Sequence, residues 1–268
     1  MKTKIIYIFF AAFLFTSCGG EKIKSKWADF DIKIDGKIED WEGKLLYFKD
    51  EQAALGVAND GSFLYLALST RERSSYMQAL TGGLIIWFKN EDSDSKKIGI
   101  IFPIGNKTDF SSMRKKHEAG NDDDQMISAI IRSQDELSIV DEDSYPLALL
   151  NIENNKNVKI AINLEKNVFY YELKIPLKIS KETPYAIDAN PVDHISVEIE
   201  SMQSEMSNGR PEHTGMRGGG LSGGGGGMRG SGMSGGGRMN PGGSMNNSRM
   251  EPIEISLDVA LARPDSSK

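Results

Sequence analysis

Over much of the chain apolar and polar residues alternate with period two, the pattern of strands that bury one face. Leu64, Leu66 and Leu68 alternate with Phe63, Tyr65 and Ala67 in FLYLALS, and Val158, Ile160 and Ile162 alternate in VKIAINL. Phe169, Tyr171, Leu173 and Ile175 do so in FYYELKIPL, Ile195, Val197 and Ile199 in ISVEIES, and Ile253, Ile255, Leu257 and Val259 close the series. LIIWF (Leu84 to Phe88) and KIGIIFP (Lys97 to Pro103) are continuous apolar runs, as central strands require. Asn59-Asp60-Gly61 and Glu165-Lys166-Asn167 separate neighbouring strands with turn-forming residues. Many short strands with tight turns predict an all-β fold, an antiparallel β-sandwich. One stretch departs from this pattern. Gln125 to Ser133 (QMISAIIRS) follows Asp122-Asp123-Asp124, and acidic residues ahead of an apolar stretch suit a helix N-terminus; a strand remains the alternative.

The N-terminus changes the picture. Lys2 and Lys4 precede an apolar run from Ile5 to Phe15 that is short for a membrane span, then Thr16 and Ser17. This is the layout of a secretory signal peptide over residues 1–17. Cys18 follows and is the only cysteine of the chain, so no internal disulfide can form. Phe15-Thr16-Ser17-Cys18 resembles the bacterial lipobox, which implies cleavage before Cys18 and lipidation of it. Several acyl chains on one residue give stable membrane anchoring. Gly19, in place of Asp, favours the outer membrane by analogy with lipoprotein sorting. Residues 18–26 read as a polar tether and 27–268 as the sandwich domain, one domain of roughly 200 ordered residues.

A low-complexity insertion, residues 203–250, interrupts that domain between ISVEIES and PIEISLDVALA. Both flanks read as strands, so the insertion is a long hairpin loop. Loop-closure entropy grows only logarithmically, about 0.6 kcal/mol per doubling of length, so the fold tolerates it. Glycine keeps such a loop flexible and solvated. Arg210, Arg217, Arg229, Arg238 and Arg249 make it cationic, and Met202, Met206, Met216, Met228, Met233, Met239, Met245 and Met250 supply thioethers. A spacer is the plain reading. Adhesion to an anionic surface, and copper or redox chemistry of the thioethers, are the functional ones.

Charge and composition narrow the chemistry. The formal net charge is -6, so no global basic field exists for nucleic acid. The chain has three histidines, His117, His194 and His213, and no G-x-S-x-G elbow. With Cys18 assigned to lipid, no Cys–His pair remains. No catalytic residue, metal site or cofactor is therefore expected, and the protein reads as a non-enzyme. His117 to Asp124 could offer oxygens to calcium but lacks EF-hand spacing, so it reads as a solvated acidic loop. His194, at the start of ISVEIES, reads as a surface or packing residue.

Three motifs together carry a resemblance: Ile34-Asp35-Gly36 followed by Asp40-Trp41, Ala58-Asn59-Asp60 followed by Leu64-Tyr65-Leu66-Ala67, and Glu172-Leu173-Lys174-Ile175-Pro176-Leu177. In this order they resemble the family 9 carbohydrate-binding modules and related DOMON-like sandwiches. The resemblance implies a β-sandwich with Trp41 as a core residue at one end and a binding role without catalysis. Sugar-binding members hold a sugar between two exposed tryptophans. Trp41 matches the structural tryptophan instead, and Trp87, within LIIWF, is expected to face the core, so neither is assigned to such a platform. Where the family often has an Asp soon after LYLA, this chain has Ser69-Thr70-Arg71-Glu72. The resulting expectation is a cell-envelope lipoprotein that binds a glycan. A lipoprotein that binds another envelope protein is the alternative, and a haem- or copper-handling DOMON-like protein a third reading.

Overall fold

The computed structural model describes residues 20–105, 123–190, 192–202 and 252–264. The predicted sandwich is present, as two facing sheets. The first contains β1 (Glu21–Lys24), β13 (Glu254–Ala260), β12 (His194–Ser201), β6 (Leu84–Asn90), β7 (Ile98–Ile101), β8 (Glu136–Asp141) and β9 (Pro146–Asn151), in that spatial order. The second runs β10 (Lys159–Glu165), β11 (Val168–Pro176), β5 (Phe63–Thr70), β4 (Ala53–Asn59) and β2 (Lys26–Trp27), with β3 (Leu46–Phe48) also paired to β4. Pairings are antiparallel except at the N-terminal edge, where β1 runs parallel to β13 and β2 parallel to β4.

Alternation along each strand sends one set of side chains between the sheets. Leu55, Leu66, Leu68, Tyr171 and Leu173 from the second sheet meet Ile86, Phe88, Ile100, Val197 and Leu257 from the first in one core. Two helices close it. α1 (Arg73–Gly82) buries Tyr76, Ala79 and Leu80, the i, i+3, i+4 spacing of one helix face, and Tyr76 stacks on Phe169 with centroids 6.0 Å apart. α2 (Asp123–Arg132) lies where the helix was anticipated and buries Ile127 and Ile130. The β10–β11 turn has positive φ at both Lys166 and Asn167, as a two-residue primed turn requires. β12 and β13 pair along their lengths, and Ser201 and Ile253 are hydrogen-bonded at their end, so the chain between them closes a hairpin. The insertion itself, 203–250, lies outside the described residues.

Two expectations need correction. The stretch anticipated as a tether, 18–26, is largely strand: Glu21–Lys24 is β1 and β2 starts at Lys26. Gly20 already lies so close to β13 that a Cβ there would sit 2.8 Å from the Leu257 nitrogen. At Ser25 the chain crosses from one sheet to the other, and its hydroxyl joins a buried cluster with the Asn59 side chain and the Ala262 backbone. Trp87, expected in the core, is on the opposite face of its strand. Leu84, Ile86 and Phe88 point between the sheets, while Ile85 and Trp87 form a separate cluster with Val140 on the outer face. Gly99 makes this possible, since a Cβ there would be 2.7 Å from both the Trp87 ring and Val140.

Candidate functional site

The outer face of the second sheet carries the most differentiated chemistry, because residues 28–45 cross part of it and leave part bare. Three successive cross-strand rows build this face.

The central row holds Glu172, Ala67 and Gly56, brought side by side on β11, β5 and β4. Trp41, fully buried on a short 3-10 turn (Glu39–Trp41), lies against Gly56, where a Cβ would be 2.6 Å from its ring. Glu172 is equally buried and accepts three N–H bonds. One oxygen takes the backbone nitrogens of Asp35 (2.9 Å) and Gly36 (2.8 Å), and the other takes the Trp41 indole nitrogen (2.9 Å). Gly36 adopts φ +77, which suits a residue without Cβ. Burial raises the Glu172 pKa above the usual carboxylate range, and the three N–H bonds oppose that shift. Two of the sequence motifs, Asp35-Gly36 with Trp41 and the run Glu172 to Leu177, are thus bonded to each other. Trp41 is buried, as expected, but on the outer face of the second sheet and not in the inter-sheet core at one end of the sandwich. It belongs to a small cluster on the outer face with Ala58, Tyr65 and Ala67.

On one side of this block, Lys174 stacks over the Phe63 ring at 3.9 Å, and the Tyr65 hydroxyl donates to Asp60 Oδ2 at 2.8 Å. Burial first, then Asp60, raises the Tyr65 pKa.

On the other side the sheet is open. Tyr170 pairs with Ser69, Ser69 with Ala54, and Ala54 with Tyr47, so one row crosses β11, β5, β4 and β3. Paired residues share a face, so the two tyrosines flank two small side chains that floor the trough, and Asn163 of β10, paired with Tyr170, continues the row beyond it. Three strand spacings separate the tyrosine backbones by about 14 Å. The resulting trough encloses about 470 Å³, within the usual range for small-ligand sites. Ile38 and Leu45 wall it towards Trp41, and Gln52, Arg71 and Glu72 rim its far end. Tyr47 is 67% exposed. Glu72 is partly committed, because its carboxylate accepts from the Ser74 nitrogen and hydroxyl at the start of α1. The Arg71 guanidinium has no bonded partner among the described residues. The trough therefore offers two aromatic rings, a flat floor and hydrogen-bonding groups at one end.

The residues singled out by sequence lie elsewhere. His194 is at the surface, with Nδ1 3.2 Å from Asp92 Oδ2 and its backbone N–H donating to the same oxygen at 2.6 Å. It stands at one end of β12 and Met202 just beyond the other, so the two do not converge. Cys18, His117, His213 and the Met and Arg residues of 203–250 lie outside the described residues. Tyr47, Tyr170 and Arg71 were not singled out. The alternation in FYYELKIPL did place Tyr170 opposite the core-facing Phe169 and Tyr171, but it could not reveal Tyr47 across the trough.

No family model matches the sequence, and no curated protein matches it. Two solved structures of a family 9 carbohydrate-binding module from Caldicellulosiruptor kristjanssonii are similar in fold. The complex with glucose is 11% identical, with a TM-score of 0.37, over 70% of this chain and 81% of that one. The complex with cellotriose is 10% identical, with a TM-score of 0.35, over 70% and 79%.

Proposed function

We propose that this chain is a non-catalytic cell-envelope lipoprotein, anchored through Cys18 in the outer membrane, whose sandwich binds a glycan in the trough between Tyr47 and Tyr170. The observation that carries the site is the cross-strand row in which Tyr47 and Tyr170 flank Ala54 and Ser69. A pyranose ring has apolar C–H faces and a polar hydroxyl rim. Aromatic faces suit the first, and Arg71, Glu72 and Gln52 suit the second.

The test is a glycan-array screen followed by calorimetry, on protein starting at Cys18. It is run beside Tyr47→Ala, Tyr170→Ala and a deletion of 203–250. Each tyrosine substitution is expected to weaken binding about tenfold, as loss of an aromatic anchor does, while the deletion leaves it intact. Saturable binding unchanged in both tyrosine variants would move the site out of the trough. Binding lost with the deletion would move it to the insertion, and no binding by any protein would sink the glycan reading.

A second reading, docking of an envelope protein, is favoured by β9. It is the last strand of its sheet and leaves Leu147 and Leu149 51% and 58% exposed, next to Tyr145 at 67%. An exposed apolar edge strand suits strand addition by a partner. Co-purification of one envelope protein, lost on Leu149→Lys, would favour this reading.

A further inference from the structure

We propose that the folded domain itself docks on anionic phospholipid headgroups through the lysine face beside its N-terminus. This rests on the reading of Cys18 as the point of membrane attachment and is independent of the trough.

At the N-terminal edge of the sandwich a slot of about 380 Å³ opens between the two sheets, with Leu55 and Val57 at its base. Lys22, Lys24, Lys26 and Lys44 fringe it. Lys22, Lys24 and Lys26 are exposed and take no ion-pair partner among the described residues. Lys44 is held in place, its Nζ donating to the Asp40 carbonyl at 2.7 Å and lying 4.0 Å over the Phe30 ring. Of the acidic groups nearby, Glu21 lines the same slot and Asp258 is paired in register with Lys22, while Glu254, Glu198 and Glu200 lie further along the outer face of β13 and β12. At the slot itself, four lysines against Glu21 and the adjoining Asp258 leave a local excess of positive charge on a chain whose net charge is -6.

Position makes this excess matter. β1 is paired to β13, Gly20 is pressed onto the β13 backbone, and Ser25 is locked to Asn59 and Ala262. The chain is therefore fixed to the body from Gly20 onward. Two residues can extend at most about 7 Å, so an anchor at Cys18 holds this edge of the domain against the bilayer. That reach is below the Debye length of about 8 Å at physiological salt, so the start of β1 sits within unscreened range of the headgroups. Lys24 and Lys26, about 13 and 20 Å beyond Gly20 along the chain, come into the same range when the strand lies along the surface. A long flexible tether would forfeit this attraction. Here it orients the sandwich with its lysine edge on the membrane and its opposite edge, β10, outward.

The test uses residues 18–268, which keep every described element. As Cys18 is the only cysteine, its thiol can be coupled to a maleimide-bearing lipid in vesicles of phosphatidylcholine alone or mixed with phosphatidylglycerol. Acetylation rates of individual lysines are then read by mass spectrometry at low and high salt. Lys22, Lys24 and Lys26 are expected to react about fivefold more slowly on the anionic vesicles, the scale of one lysine's attraction to such a surface. The protection should vanish at high salt. Lys166, on the β10–β11 turn at the far edge, should react equally on both vesicles. Equal rates for Lys22, Lys24 and Lys26 on neutral and anionic vesicles, or protection that salt does not relieve, would overturn the proposal. Because attachment is made chemically, such a result would condemn the lysine face and not the lipoprotein reading. The latter is tested separately by labelling cells with a radioactive fatty acid.

Discussion

Glu172 holds together two parts of the chain that are far apart in sequence, so its removal should be felt as a loss of stability. Glu172→Gln keeps the shape and deletes the charge. The amide oxygen can still accept from Asp35 and Gly36, but the amide nitrogen then faces the Trp41 indole N–H, donor against donor. A buried donor left without an acceptor costs about 1–3 kcal/mol, and each bond that loses its charged partner weakens by about 1 kcal/mol. Relief from burying a charge offsets part of this. The expected net loss is about 2–3 kcal/mol, or a fall in Tm of about 4–12 °C for a domain of this size. Trp41→Phe deletes the indole donor together with the benzo ring that lies against Gly56, a packing cost of its own that the double-mutant cycle subtracts. In that background Glu172→Gln no longer sets donor against donor, so it should cost about 1–2 kcal/mol less. Urea unfolding followed by far-ultraviolet circular dichroism measures all four proteins of the cycle. A loss under about 0.5 kcal/mol for Glu172→Gln, or the same loss in both backgrounds, would refute the account of Glu172 as a shared acceptor.

Gly99→Ala should destabilise by about 1–3 kcal/mol through overpacking under Trp87 and Val140; Gly61→Ala, where the added Cβ would meet nothing within 4 Å, is the near-neutral control in the same thermal melts. Tyr171 is fully buried in the core and its hydroxyl has no hydrogen-bond partner among the described residues, so Tyr171→Phe should leave stability unchanged or raise it by up to about 1 kcal/mol, and a clear loss would reveal a partner for that hydroxyl. The backbone N–H of His194, and secondarily its ring, hold the Asp92 carboxyl below its usual value of 3.8. A depressed carboxylate contributes stability that is present above its unfolded pKa and lost as pH falls through its folded one. The stability difference between wild type and Asp92→Asn should therefore be constant at neutral pH and shrink below about pH 3.8, as followed by urea midpoints across the acid range.

What was legible in the sequence follows from which faces are buried. Strands with one apolar face, such as FLYLALS and FYYELKIPL, announce themselves by alternation, and their turns carry the residues that positive φ demands. β1 and β2 alternate too, with Lys22, Lys24 and Lys26 outward and Ile23 and Ser25 inward. One inward residue is polar, however, and is satisfied by Asn59 and Ala262, partners distant in sequence. The lysines therefore dominate, and the stretch resembles a linker. Trp87 was misplaced for the opposite reason. Both faces of LIIWF are apolar, so period two says nothing about which face meets the core. The deciding residue is Gly99 on the next strand, which leaves room for the indole on the outer face.

The same reasoning separates what the recognisable motifs say from what the trough says. The backbone N–H groups of Asp35 and Gly36 and the Trp41 indole N–H are all turned on Glu172, and Trp41 and Glu172 are closed to solvent. Residues so committed specify how residues 28–45 lie on the sheet, and have no donor or ring face left for a ligand. They do set the boundary of the trough, because the segment they hold down places Ile38 and Leu45 along its wall. The residues free to meet a ligand are ones the motifs do not contain: Tyr47, Ala54, Ser69 and Tyr170 come from four strands, and only β-register makes them a row. Sequence can therefore identify the frame of such a site while its contents stay dispersed. A change of ligand would require substitutions only along the row and its rim, leaving the Glu172 node, and hence the fold, untouched.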